Sequence, residues 1–392
     1  GPWRAPLPAI YRSWRAYLAT RRERPGAPAP RTRSPYWNAA EQARWPEYDL
    51  AASIAYQGLD ATVLDIRPAR PGRLDATVDT FVVKTLFARA DTVRGRTEIQ
   101  PIAITRVLAF REGGRWVFGN ALAHDTRDWA RHRVGPVTYV VHPAHRFDRA
   151  RAADAVRFAD SLAAAFGVPR LAHLDYHVAD DPDAMFRLMG VEWTITPDAH
   201  GAGFASHVNR QIFVGAPALG EAYLHELAHA VLGPLTPPAA HTHPMMVEGL
   251  ATWVGGSLGF GPRELRAAYA AWLRRHPEVT LDRVVAADGG DYGWRPGAAV
   301  LLDLAHARGG LPAVRTMLAA TSDSGALRIA TERALGLPWA EVARLWRERA
   351  LAGDGALSAP AAVPASGRRR SPARGARPDT AGSPARRATG SG

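Results

Sequence analysis

Two histidines four residues apart, with a glutamate beside the first, lie in the apolar run YLHELAHAVLGP at residues 223–234. On a helix, His225 and His229 fall on one face about a turn apart, near enough to grip one ion. Glu226 is rotated by about 100° from His225, so its carboxylate need not ligate the metal but can contact a water bound to it. In that geometry two neutral imidazoles hold zinc, and the glutamate takes the proton of the activated water as it attacks a carbonyl. With 14 histidines and 14 glutamates in 392 residues, chance would place such a pentapeptide in about two chains per hundred. Context must therefore decide between a metal site and a helix that carries these polar residues on an exposed face.

A catalytic zinc takes three protein ligands and keeps a fourth position open. Nineteen residues beyond His229, the segment PMMVEGLATWVGG carries Glu248 near the start of a second helical run that ends at Gly255-Gly256. The intervening GPLTPPAAHTHP is dense in helix breakers, so the chain turns there and can bring the second helix back against the first. Glu248 is then the natural third ligand. His241 and His243 lie in that loop, either as additional acid or metal groups or as residues of a solvated surface loop. Cysteine is absent, which excludes thiolate ligands, thiolate nucleophiles and disulfides, so any metal must be held by His and carboxylate.

The elements that would position these residues can be read around them. Residues 37–130 alternate turn signals with runs rich in Val, Thr, Ile and Phe, such as ATVLDI (61–66), ATVDTFVVKTLFA (76–88) and ITRVLAF (104–110). The last meets RWVFGNAL across Glu112-Gly113-Gly114, a hairpin signal, so an antiparallel sheet is expected, after a helical stretch around 38–56 interrupted by Pro46. A second block opens with the strand GPVTYVVHP (135–143). Asp148 then caps a helix closed by Gly167. Further strands are expected at HLDYHVA (173–179), VEWTIT (191–196) and QIFVGAP (211–217). Beyond residue 244 the pattern is helical, with Pro262, Pro296 and Pro338 each opening a helix.

HELAH followed after a loop by VEGLATW resembles the gluzincin metallopeptidases, in particular the bacterial peptidase MA-like group. The similarity continues through DYGWRPGAAVLLDLAHARGG and PWAEVARLWRERAL and spans roughly residues 135–350. It implies an α+β, zincin-like catalytic domain: a small mixed sheet, the HExxH helix and a helical C-terminal subdomain. One zinc ion would be held by His225, His229 and Glu248, with Glu226 as general base and later proton donor. Tyr292 matches the family's tyrosine whose hydroxyl faces the tetrahedral intermediate; packing in a Gly-rich loop is the alternative for it. The family's second carboxylate, four residues after the glutamate ligand, is replaced by Thr252, whose hydroxyl would accept a zinc histidine's N–H less strongly. No Gly-rich signature for gripping a free amino terminus is found, so the implied activity is endopeptidase cleavage of a peptide or protein. Residues 37–130 are similar in pattern to a nuclear-transport-factor-like (NTF2-like) α+β module, which implies binding or homodimerisation. The competing reading is a non-catalytic binding protein in which this sheet module carries the function.

Charge bears on partners. The formal charge of +12 resides at the ends: residues 1–36 hold eight arginines and one acid, residues 351–392 seven arginines and two acids. Residues 37–350 carry 34 groups of each sign. A neutral core argues against an enzyme whose folded surface tracks nucleic-acid phosphates. The expected organisation is a basic, partly disordered extension (1–36), the sheet module (37–130), the peptidase domain (135–350) and a disordered basic tail (351–392), rich in Pro, Gly, Ser and Ala. No apolar run reaches the length of a membrane span. The chain opens Gly1-Pro2 without a basic-then-apolar leader, so cytoplasmic and exported locations both stay open.

Overall fold

β-Branched and aromatic residues at alternate positions make the first half of the chain sheet-forming, and helical spacing of Leu, Ala and Trp dominates the second. The computed structural model describes residues 2–21, 34–42, 59–70, 78–93, 96–195, 203–206, 210–236, 242–286, 294–320 and 323–353. All lie in one unit, Gly1–Ala362; a second, Val363–Gly392, falls outside the described residues. The architecture is mixed α+β with two sheets.

In the first sheet β1 (Asp60–Pro68), β2 (Thr80–Val93), β3 (Arg96–Glu112) and β4 (Arg115–Gly119) follow one another antiparallel. The expected turn joins β3 to β4, with Gly113 and Gly114 at φ 55° and 78°, values that favour glycine and match the twist of a tight hairpin. Helix α1 (Leu7–Arg21) covers this sheet with Ile10, Trp14 and Tyr17, all fully buried. The indole of Trp14 donates to Thr85 Oγ1 at 2.8 Å, which satisfies its one polar group. Part of the basic extension is therefore an ordered helix, whose apolar spacing is masked in the sequence by flanking Pro and Arg. Of the helical stretch expected at 38–56, residues 43–56 lie outside the described residues.

The second sheet has the order β5 (Ala130–Val134), β6 (Val137–Val141), β7 (Leu174–Val178), β10 (Gln211–Val214), β9 (Gly203–Ser206). Its middle three strands run parallel and its two edges antiparallel. Such a sheet is covered on both faces, hence the nearly continuous burial of VTYVV, LDYHV and QIFV. One strand departs from the block division read from the sequence. β8 (Val191–Thr194) pairs with residues 103–105 of β3 in the first sheet. β4 covers only residues 108–112 of β3, which leaves that side of β3 open to a strand from later in the chain.

Helix α2 (Arg149–Phe166) is capped by Asp148, whose carboxylate accepts from the N–H of Ala150 and Arg151, and is closed by Gly167 at φ 62°, the ends expected from the sequence. α3 (Pro182–Leu188) follows. α4 (Leu224–Leu232), α5 (Pro244–Gly255), α6 (Pro262–Arg275), α7 (Trp294–Leu318, broken at Gly310), α8 (Ser324–Leu335) and α9 (Trp339–Leu351) build the helical half on one core with the second sheet. Asp303, fully buried in α7, accepts from Arg266 Nη1 and Arg349 Nε at 2.6 Å each and so ties α6 and α9 to α7. No described helix is long and apolar enough to cross a membrane.

Candidate metal centre

α4 is apolar on most of its surface, and Leu227, Ala228, Val231 and Leu232 bury it in the core. Its polar residues therefore concentrate on the strip that faces α5. Gly233, Pro234 and Leu235 wind the end of α4 into a short 3-10 turn, and α5 returns against α4. The return is close because α5 is small where it meets its neighbours. A Cβ at Gly255 would lie 2.6 Å from the Leu224 carbonyl oxygen, and one at Gly249 2.5 Å from Ala298 Cβ in α7.

Three side chains converge as the sequence reading expects. His225 Nε2 lies 3.2 Å from Glu248 Oε2 and 3.2 Å from His229 Nε2, and His229 Nε2 lies 3.5 Å from Glu248 Oε1. Ligands on bonds of about 2.0–2.1 Å at tetrahedral angles are separated by about 3.3 Å, so the spacing is that of a metal tripod. Among the described residues this is the one group of three or more His and carboxylate ligands able to hold an ion.

The donor set makes a stronger argument than the spacing. His225 Nδ1 sits 2.8 Å from the Gly256 carbonyl oxygen, an acceptor only, so Nδ1 carries the hydrogen and the neutral ring presents a lone pair at Nε2. That lone pair faces a Glu248 carboxylate oxygen at 3.2 Å. Two acceptors at this distance repel unless a proton or a cation lies between them. The site is closed behind His225, 2% exposed, and opens past the side chains of His229 (16%) and Glu248 (27%).

Charge at the site follows from burial and pairing. Burial pushes the Glu248 carboxyl up, but the facing imidazoles of His225 and His229 outweigh it and hold the group well below the usual carboxylate range. Burial raises Glu226, and the neighbouring histidines offset this only in part. A buried, raised carboxylate is the more basic kind. For His229, burial lowers the imidazole, yet the Glu248 carboxylate prevails and the net shift is upward.

Thr252 does not take the role expected of it. Its hydroxyl is buried and has no hydrogen-bond partner among the described residues, and the acceptor for His225 is the Gly256 backbone. Gly256, at φ 76°, begins a turn closed by hydrogen bonds between Ser257 and Phe260. A Cβ on Gly256 would fall 2.0 Å from the Phe260 carbonyl oxygen, so glycine is required there. Gly255–Gly259 also spells G-x-S-x-G, the string of a nucleophile elbow, which a reading of the sequence for motifs takes to be absent. A nucleophile elbow joins a strand to a helix; here the string ends a helix.

His243 is not part of the tripod. It caps α5, accepting from the Met245 N–H, and its Nε2 meets Ser324 Oγ at 3.2 Å. His241 and Tyr292 lie outside the described residues. Tyr223, 4% exposed, packs its ring against His225 at 5.8 Å.

Two contributors escape the sequence reading. β9 lies so near α4 that a Cβ on Gly203 would fall 2.9 Å from Glu226 Cγ and 2.7 Å from the Tyr223 ring. The glycines of HGAGFAS are the signal, since glycine inside a strand marks close backbone approach. The other is Arg295, in the first turn of α7, whose Nε lies 3.5 Å from Glu248 Oε2.

No protein-family model matches the chain, and no curated protein matches it. Among solved structures, a point mutant of an M1 zinc metallopeptidase from Deinococcus radiodurans, bound to a Tyr-Ser-Ala substrate, is similar at 14% identity with a TM-score of 0.35. The match covers 74% of this chain and 61% of that one, so this chain spans under two thirds of its length.

Proposed function

We propose that the chain is a zinc-dependent peptidase of the gluzincin, peptidase MA-like kind, with His225, His229 and Glu248 as the ligands of one zinc ion and Glu226 as general base. The observation that carries this reading is the convergence of His225 Nε2, His229 Nε2 and the Glu248 carboxylate at 3.2–3.5 Å, the spacing of ligands on one ion, with His225 Nδ1 held by the Gly256 carbonyl so that Nε2 faces the carboxylate. When bound, zinc supplies Lewis acidity, polarising a carbonyl and making a water more acidic.

The rest of the chemistry belongs to the chain. Glu226 accepts a proton from the attacking water as its oxygen bonds to the scissile carbon. The same carboxyl returns that proton to the amine nitrogen as the C–N bond breaks, which leaves an acid and an amine. The Gly256 carbonyl keeps His225 in the tautomer that exposes Nε2. β9 pairs only with β10 among the described strands, and its open edge suits an extended peptide added as a further strand. The approach of Gly203 to Glu226 favours placing that peptide beside the base. Tyr292 is assigned the oxyanion contact by resemblance alone.

In the same reading the helical half and second sheet form the zincin-like domain, and the first sheet with α1 forms an NTF2-like module. Ile99, Trp193 and Ile195 expose 69%, 44% and 45% of their surface on β3 and just along β8, which favours that module as a homodimer contact. Sedimentation should then give twice the chain mass, and a monomer at all concentrations would exclude it. For the activity itself, the purified chain with one equivalent of zinc should cleave a peptide library internally, lose cleavage on chelation and regain it with zinc. Chelation without effect on the rate would refute the reading.

A further inference from the structure

We infer that Arg295 is a substrate-recognising residue that binds a carboxylate of the peptide near the scissile bond, held in reserve against Glu248 until the metal occupies the site. This rests on the metal tripod proposed above and adds a substrate class to it.

Position comes first. Arg295 follows Trp294 at the start of α7, and its guanidinium carbon lies 5.2 Å from the centre of the Trp294 ring. The indole face backs the cation and restricts where the long side chain can go. Its Nε pairs with Glu248 Oε2 at 3.5 Å, a long contact, and the side chain is 39% exposed. Among the described residues Glu248 is its only ionic or hydrogen-bonding partner, and the contact engages Nε. Exposure rises from His225 through His229 and Glu248 to Arg295, which puts the guanidinium on the open side of the site.

Charge balance then separates two states. Without metal, Arg295 partly neutralises the carboxylates of Glu226 and Glu248. A bound divalent cation balances both carboxylates by itself, and Glu248 is committed to it. The ion pair that restrains Arg295 weakens, and the described residues of the site carry one positive charge in excess. A planar guanidinium is built for paired hydrogen bonds to a carboxylate. The carboxylate can come from an acidic side chain flanking the scissile bond or from a nearby free C-terminus.

The test uses the zinc-loaded full chain carrying Glu226→Gln, so that peptides bind without being cut and the result does not depend on turnover. Three matched peptides are titrated: one with an acidic side chain and an amidated end, one neutral with a free C-terminus, and one neutral and amidated. At least one carboxylate peptide should bind more tightly than the neutral one. Adding Arg295→Gln should weaken that peptide by roughly ten- to a hundredfold and leave the neutral peptide within about twofold, with Arg295→Lys between. The arm that responds identifies the carboxylate source. In parallel, chelator competition should show zinc held more tightly by Arg295→Gln, because a like charge beside the ion has been removed. Equal affinity of all three peptides in the Arg295 chain would overturn the inference. So would weaker zinc binding with equal losses on every peptide, the signature of a residue that only steadies Glu248.

Discussion

His225 is oriented by a backbone carbonyl, and this sets what its neighbours can be. Gly256 accepts the Nδ1 hydrogen, so the Thr252 hydroxyl is left buried with no partner among the described residues. A hydroxyl without a hydrogen bond in an apolar interior costs about 1–3 kcal/mol, and an isosteric methyl removes that cost. Thr252→Val should therefore leave zinc affinity within about twofold, with stability unchanged or higher by about 1 kcal/mol. A tenfold loss of zinc affinity in a metal-buffer titration would restore the hydroxyl to the role first expected of it. His177 is a second buried group with an unsatisfied atom, Nδ1, and its ring stacks on Phe213 at 4.8 Å. Burial pushes its imidazole down to about 4, from about 6.5 in the unfolded chain. The neutral ring's stability is thus complete above pH 6.5 and is lost as the pH falls toward 4, by about 3 kcal/mol over the window. Urea denaturation of His177→Phe at several pH values should show a flatter acid limb; an identical limb would mean that other groups govern it.

At the scale of elements, the site depends on how closely α5 returns to α4 and α7. Gly249 follows Glu248, the proposed third ligand, directly and has no room for a side chain against Ala298. Gly249→Val should wedge α5 from α7, lower stability by about 1–3 kcal/mol and weaken zinc binding at least tenfold by moving Glu248. Unchanged zinc affinity would show that the ligand geometry does not depend on this packing. Much of this arrangement is legible in local signals: the i, i+4 histidines, the Asp148 cap, the glycine hairpin and the proline starts are each decided within one or two turns. What stays hidden is non-local. β9 is four residues long and becomes a strand only by pairing with β10. β8 chooses β3 because β4 is short, and α1 is fixed by Trp14 reaching Thr85 across 71 positions. Thr252 misleads for the same reason, since the competing acceptor arises from a turn whose shape the sequence does not display.

Over the whole molecule, the two sheets divide the work. The second sheet and the helical half form one core, and His225, Glu226, His229 and Glu248 stand on two helices of that half. The first sheet has a separate core under α1. The central claim is that Glu226 performs the proton transfer at a metal held by His225, His229 and Glu248. Peptide hydrolysis by Glu226→Gln beside wild type, at matched zinc content, tests it most directly. Both chains should bind one zinc ion, and the variant should lose hydrolysis by a factor of at least about a thousand. A zinc-loaded variant that cleaves at the wild-type rate would contradict the account.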